Sequence, residues 1–193
     1  MQRKTLTISF TILAILISTI ALYFLFNKAQ ALSGSVITPP LAAAEINLTD
    51  HNGHPFTMSS QRGKVVLLYF GYTNCPDECP LTMAHLKLAL ESLGDRAGNV
   101  QVLMVSTDPA RDTEATLKKF MESFEPTFLG LTGSPEQLQK AWHDYGVTVL
   151  DGGETHSNFL YVIDPAGDIR ETFQSDSDPD KIASDVSLLL KGK

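Results

Sequence analysis

Val65-Val66-Leu67-Leu68-Tyr69-Phe70 runs directly into Gly71-Tyr72-Thr73-Asn74-Cys75-Pro76-Asp77-Glu78-Cys79-Pro80. The first six residues are continuously apolar, the pattern of a strand covered on both faces. From about Pro80, the spacing of Met83, Leu86, Leu90 and Leu93 predicts a helix with one buried face. The turn between strand and helix therefore lies at the C-terminal edge of a sheet, where open α/β folds place their ligand sites. Pro80 suits a first helical turn, which makes Cys79 a helix-start residue. Unpaired N–H groups and the positive end of the helix dipole favour a thiolate there.

Reading outward, residues 100–106 form a second buried-type strand. A helix over about 113–124 places Leu117, Phe120, Met121 and Phe124 on one side. Ser134-Pro135-Glu136-Gln137 reads as a helix start with a capping box, followed by the apolar stripe Leu138, Ala141, Trp142 and Tyr145. Residues 159–163 and 169–173 read as strands around the turn Asp164-Pro165-Ala166-Gly167-Asp168. A last helix begins near Pro179 and buries Ile182, Val186, Leu189 and Leu190. This alternation predicts an α/β sheet with helices on its faces. Its order resembles a thioredoxin-like domain in which the helix 135–145 is an insertion.

The N-terminal segment is different. Residues 5–26 carry no charge and are mostly Leu, Ile, Ala and Phe, behind Arg3 and Lys4. About 20 apolar residues span a bilayer as a helix, and the preceding basic residues favour leaving that end in the cytoplasm. Ala29-Gln30-Ala31 resembles a small-residue cleavage site, but the run exceeds the apolar core of about 7–15 residues usual in signal peptides. The reading is therefore a membrane anchor at 1–26, a linker at 27–44 containing Ser33-Gly34-Ser35 and Pro39-Pro40, and a domain at 45–193. Either reading of the apolar run exports the domain. With 22 acidic residues against 15 basic ones, the balance is acidic and argues against nucleic-acid binding, since phosphate contacts need clustered Lys and Arg.

The chain has two cysteines, with three residues between them. A bridge between them closes too small a loop to stabilise a fold, so a local role at a site is expected. Pro76 and Pro80 restrict the loop and lower the entropy lost when both sulfurs face one atom. Such a pair suits either one metal ion or a disulfide, and the spacing alone does not choose. Asp77 and Glu78 oppose thiolate formation but attract a cation. His156 stands just before the strand 159–163; if that strand runs antiparallel to 65–70, His156 falls at the same edge as the cysteines. No proline lies between Leu150 and Pro165, where thioredoxin-like redox proteins commonly carry one facing their thiols. Two soft thiolates with an imidazole suit copper; zinc also accepts them, with a fourth ligand.

The run 70–80 resembles the signature of the Sco/SenC family of thioredoxin-like copper chaperones for cytochrome c oxidase assembly. Thr107-Asp108-Pro109-Ala110-Arg111-Asp112-Thr113 is similar to that family's second motif. Thr155-His156-Ser157-Asn158-Phe159-Leu160-Tyr161-Val162-Ile163-Asp164 resembles its third, with Thr155 where the family often has Asp. The resemblance implies that Cys75, Cys79 and His156 bind Cu(I) or Cu(II). It also implies metalation of the dinuclear copper centre of cytochrome c oxidase subunit II, or reduction of that subunit's cysteines. Implied partners are an upstream copper donor and a thiol reductant. The expected location is a bacterial inner membrane, with a single span and the domain in the periplasm.

Three rival readings stay open at this point. A thiol–disulfide oxidoreductase would use Cys75 and Cys79 and tolerate loss of His156. A peroxidase of the same fold would need a basic residue beside a reactive thiolate, and no Arg or Lys lies near the cysteines in sequence. A redox-sensing signal protein is the third. His51, His54, His85 and His143 read as ordinary surface or partly packed residues, and the five methionines as core and helix-face residues. Asp108, Arg111 and Asp112 are expected to cap the following helix and to form a local ion pair.

Overall fold

The computed structural model describes residues 16–20, 31–150 and 155–192. The chain divides into two compact units, Met1–Ala31 and Leu32–Lys193. In the first unit, residues 16–20 are helical and exposed. The rest of the expected anchor at 1–26 lies outside the described residues. Among the described residues, no helix is long and apolar enough to cross a membrane.

In chain order the second unit contains strands β1 (Ser35–Ala42), β2 (Asn47–Asp50), β3 (Pro55–Thr57) and β4 (Val65–Gly71), then helix α1 (Glu78–Leu93). Strand β5 (Val100–Ser106), helix α2 (Glu114–Glu122), strand β6 (Leu129–Thr132) and helix α3 (Pro135–Asp144) follow. The remainder is β7 (Val149–Leu150), β8 (Thr155–His156), β9 (Phe159–Ile163), β10 (Asp168–Gln174) and α4 (Pro179–Lys191). Among the described residues the strands form one eight-stranded sheet, β1-β10-β9-β4-β5-β6-β2-β3, and a separate ladder of β7 with β8.

Every residue of β4 and β5 is buried, which accounts for their unbroken apolar sequences. The two pair in parallel from Val65↔Val100 to Gly71↔Ser106. On its other side β4 pairs antiparallel with β9, including Tyr69↔Leu160, so β9 starts at the edge where β4 ends. Successive side chains of β4 face opposite sides of the sheet. Val65, Leu67 and Tyr69 pack with α1, α2 and α4 through Met83, Leu86, Leu117, Met121, Ile182 and Val186. Val66, Leu68 and Phe70 pack with α3 and the N-terminal strands through Leu138, Ala141, Ile46, Leu48 and Phe56. The capping box is present: Ser134 Oγ accepts from the Gln137 N–H, and Gln137 Oε1 accepts from the Ser134 N–H at 2.9 Å. Such a cap is worth about 1 kcal/mol.

Two sequence expectations are corrected here. Residues 35–42, read as part of a linker, form β1 and pair with β10 at the edge of the sheet. Pro39 and Pro40 do not prevent this, because an edge strand can leave unpaired the positions where proline has no N–H. The register shifts between Val36 and Leu41, across those prolines. The cap of α2 is Thr113, whose side chain accepts from the Thr116 N–H; Asp108 and Asp112 do not cap it. The expected ion pair is present, between Arg111 and Asp108.

The segment leading into β1 is held by two buried carboxyl groups. Asp185 Oδ2 accepts from the Ser33 N–H at 2.6 Å and from its hydroxyl at 2.7 Å, and Glu171 Oε2 accepts from the Gly34 N–H at 2.9 Å. Burial, aided by the neighbouring Asp185 charge, pushes the Glu171 carboxyl from 4.5 up to about 7. Between those values the folded protein keeps a proton that the unfolded chain has lost. The group's contribution to stability is therefore fully present below 4.5 and is lost as pH rises through about 7. Glu171→Gln keeps an acceptor for Gly34 and removes the titration. Calorimetry between about pH 5 and about pH 8 should show the parent losing stability relative to this variant, and parallel Tm curves would contradict the assignment.

Candidate metal centre

The site is built where β4 hands over to α1. Gly71 ends the strand against its neighbours: a Cβ there would lie 2.6 Å from Tyr69 Cε1 and 3.0 Å from Cys79 Sγ. The missing side chain lets the Cys79 sulfur pack onto the end of the strand. Cys79, in the first turn of α1, is fully buried, whereas Cys75 is half-buried, and both thiols are free.

The first N–H groups of a helix need acceptors from outside it. Asp77, at the N-cap position, makes no side-chain capping bond. The Cys79 N–H instead donates to Cys75 Sγ at 3.3 Å, so one cysteine's sulfur serves the other's backbone.

His156 arrives on β8. Its Nε2 lies 3.9 Å from Cys79 Sγ, and its Nδ1 lies 3.1 Å from the Ser157 carbonyl oxygen. A carbonyl only accepts, so Nδ1 carries the proton in neutral imidazole and Nε2 presents its lone pair to the sulfur. Tyr69 and Tyr72 stand edge-on to the imidazole, with ring centroids at 6.0 and 5.9 Å.

Tyr69 also reaches the thiol. Its hydroxyl is 3.6 Å from Cys79 Sγ and donates to Asn158 Oδ1 at 2.8 Å. Asn158 Nδ2 in turn donates to Glu78 Oε2 at 2.6 Å. This chain joins the strand that follows His156 to the helix start that carries Cys79. Tyr69 and Asn158 were not singled out from sequence. The available signals were a phenol inside a strand buried on both faces and an amide at the first turn of chain before β9.

The expectation of a favoured thiolate at Cys79 is reversed. Burial pushes this thiol up to about 12, offset only in part by a backbone hydrogen bond from Tyr72. Removal from water outweighs the helix end. Glu78 is engaged with Asn158 and Asp77 is exposed.

Cys75, Cys79 and His156 are thus neighbours, as the sequence reading requires. Among the described residues, however, no group of three or more His, Cys, Asp and Glu has the arrangement of a formed metal site. The donor chemistry fits a soft cation: a thiol shielded from water faces an imidazole lone pair, and a cation can replace the proton between them. Residues 151–154, including Glu154, lie outside the described residues.

The other histidines have partners elsewhere. Buried His51 accepts the Gly130 N–H at Nδ1, His85 Nδ1 lies 3.0 Å from the Ser177 carbonyl oxygen, and His54 and His143 sit beside Asp50 and Asp144. Met58, Met83, Met104 and Met121 are core residues.

Similarity to known proteins bears on this geometry. Residues 37–191 match the SCO1/SenC family. Protein SCO2, mitochondrial, of Saccharomyces cerevisiae is 39% identical over an alignment of 131 positions that covers 63% of this chain and 44% of that protein. The match to yeast protein SCO1 likewise covers 47% of its length, so the chain spans under half of these mitochondrial relatives. Protein SenC of Rhodobacter capsulatus is 33% identical over 72% of this chain and 70% of its own length. The structure of Bradyrhizobium japonicum ScoI with copper bound superposes with a TM-score of 0.71 at 34% identity, covering 77% of this chain and 99% of that one. The extent of these matches, together with the thioredoxin-like fold, shows that this chain belongs to the SCO1/SenC family.

Proposed function

We propose that this protein is a membrane-anchored copper chaperone. It takes copper as cargo on Cys75, Cys79 and His156 and serves assembly of the dinuclear copper centre of cytochrome c oxidase subunit II, by metalation or by cysteine reduction. The observation that carries the reading is the approach of His156 Nε2 to Cys79 Sγ at 3.9 Å, with Nδ1 turned to the Ser157 carbonyl. That orientation leaves the correct nitrogen free for a metal. The ScoI relative with copper bound supports the choice of metal.

Binding Cu(I) between the cysteines releases their thiol protons, so it requires both thiols reduced and depends on pH. A thiol reductant and an upstream copper donor therefore belong to the function. Residues 1–26 are the anchor, with Arg3 and Lys4 on the cytoplasmic side and the domain beyond residue 31 in the periplasm. The acidic balance of the chain argues against nucleic acid as a partner.

A second reading, a thiol–disulfide oxidoreductase, is favoured by the two free, adjacent thiols. Titration of the reduced full-length chain with Cu(I) under a competing chelator separates the two. One tight equivalent is expected, weakened more than about 100-fold in His156→Ala, since a ligand should outweigh its outer-shell partners. Binding indifferent to His156, or none, would replace the chaperone by the oxidoreductase. In the reduced, metal-free chain near neutral pH, iodoacetamide should modify half-buried Cys75 at least about tenfold faster than buried Cys79. Mass spectrometry reads the order, and equal rates would contradict the burial of Cys79.

A further inference from the structure

The segment Thr107–Thr113 carries no ligand, yet its acidic end is buried beneath the metal loop. Asp112 is 1% exposed. Its Oδ1 accepts from the Thr73 N–H at 3.1 Å and from the Thr73 hydroxyl at 2.6 Å, while Oδ2 accepts from the Ser106 hydroxyl at 2.6 Å. Ser106 Oγ in turn accepts from the Asp108 N–H at 3.0 Å, and the Thr107 N–H donates to the Gly71 carbonyl at 2.9 Å.

These bonds continue the β4–β5 pairing past its last register pair, Gly71↔Ser106, into the loop itself. Beyond Thr73, Asn74, Pro76, Asp77 and Glu78 are exposed and Cys75 is half-buried, so the Cys75 arm projects from this clasp. A surface helix cap would not need both carboxylate oxygens buried.

We propose that Asp112 is a positioning residue for the metal site, clasping Thr73 to Ser106 so that Cys75 is held facing Cys79. It acts through the backbone at Thr73 and touches no ligand. The inference rests on the reading of Cys75, Cys79 and His156 as the copper site.

The test uses the full-length chain with Asp112→Ala, Thr73→Val and Thr73→Ser. It follows Cu(I) affinity, thermal stability and, without metal, the dithiol–disulfide equilibrium in glutathione buffers. In that exchange one glutathione disulfide is reduced to two thiols as Cys75 and Cys79 are oxidised to one disulfide. Asp112→Ala should lower both the copper affinity and the disulfide-forming constant about tenfold, the latter equivalent to about 30 mV. Thr73→Val should shift both in the same direction by at least about threefold, because it loses one of the two bonds, and Thr73→Ser should restore parental values. If Asp112→Ala fails to fold, the Thr73 pair decides.

Unchanged affinity and unchanged redox equilibrium in folded Asp112→Ala or in Thr73→Val, with only stability lowered, would reduce Asp112 to a structural residue and overturn the proposal. A parent that binds no copper, while its dithiol equilibrium still follows the variants, would remove the copper reading and leave the positioning role standing.

Discussion

Everything in the second unit is arranged around the burial of β4 on both faces. Side chains of one parity meet the α1, α2 and α4 layer, and those of the other meet α3 and the N-terminal strands. Paired by β5 and β9 and covered above and below, the strand keeps its backbone polar groups satisfied within the sheet. Uncommitted polar chemistry can then appear only where the strand ends. Gly71, the turn after it and the start of α1 are that end, and β9 delivers the His156 segment to the same place by running antiparallel.

At that end two opposed influences act on the Cys79 thiol. The helix start alone favours a thiolate at Cys79, but its sulfur is withdrawn from water, and burial wins. The outcome is a thiol that holds its proton more tightly than a solvent-exposed cysteine does. His156 is turned so that its lone pair, not its N–H, faces that sulfur. Cys75, less buried and bonded through its sulfur to the helix N–H, is the more accessible partner.

What could be read from sequence was local or strongly periodic. The apolar run 65–70, the stripe on α1, the Ser134–Gln137 box and the Asp164–Asp168 turn each declare themselves within a few residues, and each is present. The proximity of Cys75, Cys79 and His156 was legible because a loop between strand and helix and a strand start converge by topology. What escaped was non-local. Strands β2, β3 and β6 are three or four residues long, too short for a period to register. The acceptance by Asp112 of donors from Thr73 depends on a contact 39 residues away, and nothing near Asp112 distinguishes it from a helix cap. The proton affinity of Cys79 depends on how deeply its sulfur sits, which only the folded core decides.

The prolines of β1 and β3 bear on how copies of this protein coexist. These are the two outermost strands of the sheet, and one carries Pro39 and Pro40 while the other begins at Pro55. An open sheet edge invites a neighbouring molecule to add its own strand, and proline supplies no N–H for that bond. Both borders are thus blunted, one by prolines along its length and the other by its brevity and its leading proline. A crowded population of such domains on a shared surface would meet through side chains rather than by extending one another's sheets, which guards against the irreversible stacking to which exposed strands are prone.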